Sequence, residues 1–425
     1  MAETTELLRF LGEAVTPFHA VEAMAQRLSA AGFMQAEQFD GANMVPGQGY
    51  FVTRQGSSLI AMRAGQEAPA GGLRLVGTHT DSPNLSIKPN PVKGRDGCVQ
   101  LGVDVYGGAL LNPWFDRDLG VAGRVTLLAD DGELESVLFD TNRPVAVVPS
   151  LAIHLDREAN SKRSVNAQKD MVPLVMLGDP QQFDFKQWVA DSLAERDSRW
   201  QKARVMDYEL SLYDTQAPAL VGIDESFITS ARLDNLLSCY AGMMALINAD
   251  DSEWSALVAT DHEEVGSAST VGAQGPMLMD ALTAIAPEPV ANQSLRSRSW
   301  LLSVDNAHAV HPNYADRHDE QHNPKLGAGP VIKINRNQRY ATNSEGAARL
   351  RLAAERAGVT VQSFVMRSDL ACGSTIGPIT ATETGIATTD IGVPTLGMHS
   401  VRELACAADV PQMISLIEAF YRRLA

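Results

Sequence analysis

No run of apolar residues in this chain approaches the ~18 needed to span a bilayer. The N-terminal segment, MAETTELLRF, is acidic where a secretory leader is basic and then apolar. Neither membrane insertion nor export is expected, and the cytoplasm is the expected address. Cysteine is scarce: Cys98, Cys239, Cys372 and Cys406 stand far apart, with no CxxC pair and no disulfide-framework spacing. They read as buried thiols in a reducing compartment. Basic residues are also short, 35 Lys and Arg against 51 Asp and Glu, for a net charge of −16. Nucleic acid and anionic membranes both reward positive surface, so neither is an expected partner. No internal repeat and no low-complexity tract is present, which removes solenoids and long linkers from consideration.

What remains is a 425-residue chain, 45% apolar and 20% charged, with the composition of a globular protein large enough for two domains. Apolar spacing over residues 5–32 predicts two helices broken at Thr16-Pro17. GLRLVGTHT, residues 72–80, predicts a core strand ending at His79, with Asp81 two positions on and on the same face. From about Pro91 to Val221 the pattern changes to period two: Val99, Leu101, Val103 and Val105 alternate with polar residues or glycine. VTLLADDGELESVLF folds back at Asp131-Gly132, and Tyr208, Leu210 and Leu212 alternate again. Antiparallel strands with one wet face read this way. The expected organisation is an α/β domain made of residues 1–91 and 222–425, interrupted by a β-rich domain over 92–221 that contains one helix near 182–201.

The most informative stretch is SALVATDHEEVGS, residues 255–267. A buried apolar strand ends abruptly in acids and a histidine, which calls for positive charge, and a metal ion supplies it. A bare pair of glutamates is most often a solvated turn. Here Glu263 and Glu264 are expected to leave an extended backbone on opposite faces, one free to ligate metal and the other to face the water that the metal polarises. Other elements end similarly. Asp234 lies in the first turn of a strongly helical segment, 231–249, where an acid commonly just complements the helix dipole. SWLLSV leads to Asp305, with His308 and His311 close behind, and ATTDIGVPTLGMHS is expected to be a strand ending at His399. The pair His318 and His322, in DRHDEQHNPK, is expected on a mobile surface loop. GSTIG has Thr375 where a serine-hydrolase elbow has serine. The closing helix is expected to start with Asp409 as its cap and to bury Met413, Leu416, Ile417, Phe420 and Leu424. In open α/β sheets, strand ends are where sites form. Two histidines and three carboxylates at such ends suit two divalent ions of the zinc kind.

GTHTDSPNLSIKP, ARLDNLLS, DHEEVGS, SVDNAHAVHPNY, GPVIKINRNQRYATN, GSTIGP and GMHSVRE, in that order, resemble the M18 family of metallo-aminopeptidases, the aspartyl aminopeptidases. The resemblance runs from TPFHAV to the closing helix. It implies His79, Asp234, Glu264, Asp305 and His399 as ligands of two zinc ions, with cobalt or manganese as substitutes and Asp234 bridging. It further implies Glu263 as general base and Asp81 as the residue orienting His79. Lys333 matches the position facing an acidic substrate side chain, and His311 is grouped with it in substrate binding. The inserted domain is implied to dimerise, dimers to build a dodecamer, and His154 to reach a neighbouring subunit's metal site. The implied activity is removal of an N-terminal Asp or Glu from peptides. A metal-free scaffold keeping the same fold is the alternative from another class, and a di-metal amidase acting on non-peptide amides is the alternative among enzymes.

Overall fold

A computed structural model describes residues 2–41 and 43–422. Leu424, expected in the stripe of the closing helix, lies outside them. By internal contacts the chain forms two compact units. One comprises residues 1–82, 218–398 and 403–425, and the other comprises Pro83–Ala217 with His399–Arg402. The sequence boundary at 91/92 falls nine residues later than this one because Pro89 and Pro91 interrupt the alternation there. The backbone nevertheless runs through them as one strand, Asn84–Arg95.

The larger unit is built on a nine-stranded mixed sheet. At its centre Trp254–Thr260, Leu73–His79, Trp300–Val304 and Ala387–Gly392 run parallel in that order. Trp254–Thr260 is buried at every residue, as a strand covered on both faces must be. Side chains alternate between two cores. Val76, Leu257 and Leu302 enter one apolar cluster, whereas Leu75, Ala256, Val258 and Leu301 enter another. The first is covered by Leu233–Asn248 and by the closing helix, Asp409–Tyr421, through Leu236, Tyr240, Met243, Met413, Leu416, Ile417 and Phe420. Met277–Ile285 covers the second with Met277, Leu278 and Leu282. Gly242 sets how closely the long helix approaches: a Cβ there would come within 2.9 Å of Leu257 and 3.0 Å of Val76. The expected N-terminal pair of helices is present as Ala2–Glu13 and Pro17–Ala30, with Thr16 as cap.

Several local expectations need correction. The closing helix is capped at Ala408, and Asp409 is its first residue. The Asp409 carboxylate instead accepts the main-chain N–H groups of Gly327 and Gly329. ATTDIGVPTLGMHS is not one strand: Ala387–Gly392 and Pro394–Leu396 belong to different sheets, and the chain turns at Gly397 before His399. The second of these sheets, with five strands, had no counterpart in the sequence pattern, because its strands are only two to four residues long. Cys239 and Cys406 are buried as expected, but Cys98 and Cys372 are only half-buried.

The smaller unit is a six-stranded antiparallel sheet. Its hairpin, Leu119–Leu128 and Leu134–Asp140, turns at Gly132 with φ +88°. The helix Phe185–Arg196 packs Phe185, Val189 and Leu193 against Leu101, Val125, Leu210 and Leu212 of the sheet. Among the described residues no helix is long and apolar enough to cross a membrane.

Candidate metal centre

Parallel pairing aligns the carboxyl ends of the central strands. Thr260 pairs with His79, and Ser303 pairs with Gly77 on the other side. Whatever follows each strand therefore converges at one edge of the sheet, where His79, the Glu263-Glu264 pair and Asp305 stand. His79 Nε2 lies 3.4 Å from Asp234 Oδ1 and 3.6 Å from Asp305 Oδ1. Ligand atoms of His79, Asp234 and Asp305 fall within 4.8 Å of one another, and so do those of His79, Glu263 and Glu264. Imidazole nitrogen with carboxylate oxygen is the donor set that zinc takes, so these residues fit the ion the sequence calls for.

Two backbone arrangements differ from expectation. Glu263 and Glu264 are not on an extended strand end. Glu263–Val265 is a single 3-10 turn, entered through His262 at φ 63°. The turn, and not a pleat, divides the two carboxylates. Asp234 is formally within Leu233–Asn248, yet Asp234 and Asn235 have non-helical backbone and the peptide between them is cis. Asp234 precedes the regular helix and does not decorate its first turn.

Asp81 is 1% exposed and does more than orient an imidazole. His79 Nδ1 is 3.0 Å from the main-chain oxygen of Asp81 and 3.4 Å from its carboxylate. The two carboxylate oxygens accept the N–H groups of Glu263 and Glu264, each at 3.1 Å. One buried aspartate thus fixes both the histidine and the turn that carries the glutamates. Sequence reading missed three further supports. Ser82 Oγ donates to the Asp234 carbonyl at 2.6 Å, Glu403 accepts the Asp234 N–H at 2.9 Å, and Asn235 donates to the Val304 carbonyl at 2.8 Å. GTHTDSPNLSIKP, ARLDNLLS and GMHSVRE carried all three, but nothing in the spacing of Glu403 and Asp234 links residues 169 positions apart.

The electrostatics are those of a crowded acidic site. Burial alone lowers the basicity of His79. Asp234, Asp305 and Asp81 outweigh that and hold the imidazole pKa well above its usual value. A metal entering there must displace its proton. Burial pushes the Glu263 carboxyl up to about 7; Asp305, Asp234 and Asp81 push the same way, and His79 opposes them. Burial likewise pushes the thiol of the neighbouring Cys239 up to about 11, and that thiol donates to the His79 carbonyl at 3.0 Å.

Lys333, on the strand Val331–Ile334, alternates with Ile332 and Ile334 along GPVIKIN, a pattern that by itself reads as an outward-facing lysine, yet it is 2% exposed. Its Nζ donates to Asp305 Oδ2 at 3.1 Å and to the Asn306 carbonyl at 3.2 Å. His311 is half-buried, and its Nδ1 accepts the Asn313 N–H. His399 belongs to the smaller unit, where its Nδ1 lies 3.1 Å from the Gly108 carbonyl oxygen. His154 is exposed on a turn of that unit. His318 and His322 lie on no helix, and His322 Nδ1 is 2.7 Å from Asp319 Oδ1.

Residues 10–421 match the sequence model of a family described as aminopeptidase I zinc metalloprotease (M18). A probable M18 family aminopeptidase 2 of Ectopseudomonas mendocina is 55% identical over 98% of this chain and 97% of its own length, and one of Pseudomonas aeruginosa is 53% identical over 98% and 97%. Among solved structures, the Ape4 and Nbr1 complex matches at TM-score 0.93 and 37% identity, over 99% of this chain and 85% of that one. The Saccharomyces cerevisiae mApe1 dodecamer matches at 0.84 and 27%, over 98% and 96%, and the M18 aminopeptidase of Thermotoga maritima at 0.86 and 25%, over 100% and 96%. A buried histidine and acids at aligned strand ends, on a chain that matches this family from end to end, make it a member of the M18 zinc metallo-aminopeptidases, an exopeptidase of α/β fold.

Proposed function

We propose that the protein removes acidic residues from peptide N-termini with two zinc ions per subunit. His79, Asp234, Glu264, Asp305 and His399 would hold these ions, Asp234 being common to both. The observation that carries this reading is the convergence of His79, Asp234, Asp305, Glu263 and Glu264 within ligand distance at one sheet edge. Zinc bound there supplies Lewis acidity, lowering the pKa of water towards ~7 and polarising the scissile carbonyl. Glu263 takes the proton of the attacking water and returns it to the leaving amine. A carboxylate beside the candidate ligands, on a turn fixed by Asp81, is placed for both transfers. Asp81 keeps Glu263 aimed by holding its main-chain N–H. The carboxylates meet the substrate's free α-amino group, which limits the enzyme to chain ends.

Preference for Asp or Glu rests on Lys333, a buried cation with one N–H beyond its bonds to Asp305 and Asn306. Screening beyond ~8 Å at physiological salt lets one local cation outweigh a repulsive exterior. His311 adds a further substrate contact. The smaller unit pairs subunits, dimers assemble into a dodecamer such as the one named for yeast mApe1, and His154 enters a neighbour's site. Four free cysteines agree with a reducing, cytoplasmic setting.

The test is to measure bound zinc and then compare rates on Asp, Glu, Leu and Lys aminoacyl amides before and after chelation. Expected are two zinc ions per subunit, faster turnover of the acidic amides, and loss of activity on chelation that zinc restores. Undiminished turnover in metal-free protein overturns the mechanism, and equal rates on all four amides overturn the preference.

A further inference from the structure

Lys333 is among the largest fully buried side chains of the protein. An ammonium in that position needs a counter-charge, because an unpaired buried charge costs several kcal/mol or neutralises. Its partner is a candidate zinc ligand. Lys333 Nζ bonds to Asp305 Oδ2 at 3.1 Å, while Asp305 Oδ1 faces His79 Nε2 at 3.6 Å. The two oxygens of one carboxylate are therefore divided between a fixed cation and the metal-competent cluster. A second bond, to the Asn306 carbonyl at 3.2 Å, anchors the ammonium to the residue that follows the ligand. The Tyr340 ring lies nearby, its centroid 5.1 Å from Nζ.

This arrangement has two physical consequences. A carboxylate with both oxygens free can rotate and offer either or both to an ion. One whose Oδ2 is tied down presents a single oxygen in one direction. The cluster also gathers Asp81, Asp234, Glu263, Glu264 and Asp305, carboxylates that repel one another at this distance. A lysine bonded to one member offsets part of that repulsion before any metal arrives. We propose that Lys333 is a positioning residue for zinc binding: its bond to Oδ2 leaves Asp305 to present Oδ1 to the cluster. This rests on the di-zinc reading above and is separate from any contact between Lys333 and substrate.

Partners that orient ligands typically contribute 10–100-fold to metal affinity. The experiment strips the full-length protein of metal and titrates zinc back against a chromophoric chelator for wild type, Lys333→Met and Lys333→Gln. Circular dichroism and melting of each metal-free form are recorded alongside. Lys333→Met is expected to stay folded and lose about 10–100-fold in affinity at one zinc site. Lys333→Gln, which keeps an N–H donor on a shorter side chain, is expected to recover part of the loss. At limiting zinc the Leu aminoacyl amide slows as well as the Asp one, and added zinc restores the Leu rate, which loss of a substrate contact alone would not produce. Wild-type zinc affinity in both variants, with only the Asp substrate affected, overturns the proposal and leaves Lys333 as a specificity residue. If Lys333→Met does not fold, Lys333→Gln decides by its zinc affinity, and loss of fold in both variants overturns the proposal in favour of a purely structural lysine. Failure of the di-zinc reading is distinguishable, because then wild type itself binds no zinc.

Discussion

At Glu263 a single proton position separates binding from chemistry. The side chain is buried enough to be pushed up to about 7, and its main-chain N–H is held by Asp81. Glu263→Gln keeps the shape and the hydrogen bond but cannot take a proton. It is expected to retain both zinc ions and the fold while kcat falls by roughly 10²-fold or more. Zinc analysis paired with steady-state kinetics checks this, and near-normal turnover in fully metallated variant assigns the base elsewhere. Sequence reading identified Glu263, Glu264, His79, Asp234 and Asp305 because each follows an apolar run or opens a helix. It missed Ser82 and Glu403, because their work is done on the main chain of Asp234 and leaves no pattern in the sequence.

Among the elements, the 3-10 turn Glu263–Val265 is the one whose placement decides function. It is short and glycine-flanked, and both its leading N–H groups end on Asp81. Asp81→Ala removes that anchor and the support of His79 together. Zinc affinity is expected to fall about 10–100-fold, with kcat reduced even at saturating zinc because Glu263 is no longer aimed. Unchanged kcat at saturating zinc would mean that the turn holds its shape unaided. A remote element gives the contrasting case. Asn343 caps the helix Ser344–Ala357 by accepting the Gly346 N–H at 2.8 Å. Asn343→Ala is expected to cost about 1 kcal/mol of stability, visible as a lower denaturant midpoint with kcat and zinc content unchanged. A variant that loses activity without losing stability contradicts the purely local role of this cap.

For the assembled molecule the open matter is how far one subunit suffices. His154 is exposed on its own turn, and Leu151, Ile153 and Leu155 around it are exposed as well. Apolar side chains left in water in this way suit burial by another copy. Co-expression of His154→Ala with Glu263→Gln, each inactive alone, is expected to restore part of the activity. If His154 acts in trans, a mixed dimer would contain one site with an intact Glu263 and the other subunit's His154. With co-assembly verified by differential tags, absence of any restored activity sinks action in trans.

Composition and periodicity determined the class of this protein by themselves. Alternation with period two marked the inserted sheet, apolar runs marked the parallel core strands, and a helical stripe marked the long helix over them, since burial imposes its period directly on the residues that are buried. The acids and histidine at the strand ends were legible for the same reason: polar groups that interrupt a buried run need a partner. Tertiary structure decided everything set by contacts between distant residues. Glu263 and Glu264 diverge through a turn and not a pleat, Asp234 sits before its helix, and Asp81 ties the turn to His79. Lys333, an ordinary strand lysine by pattern, is buried because its charge meets Asp305, 28 positions away. A periodic pattern records which side of an element faces the core. It carries no record of which hydrogen-bonding group waits there, and in this site that pairing determines what each side chain can do.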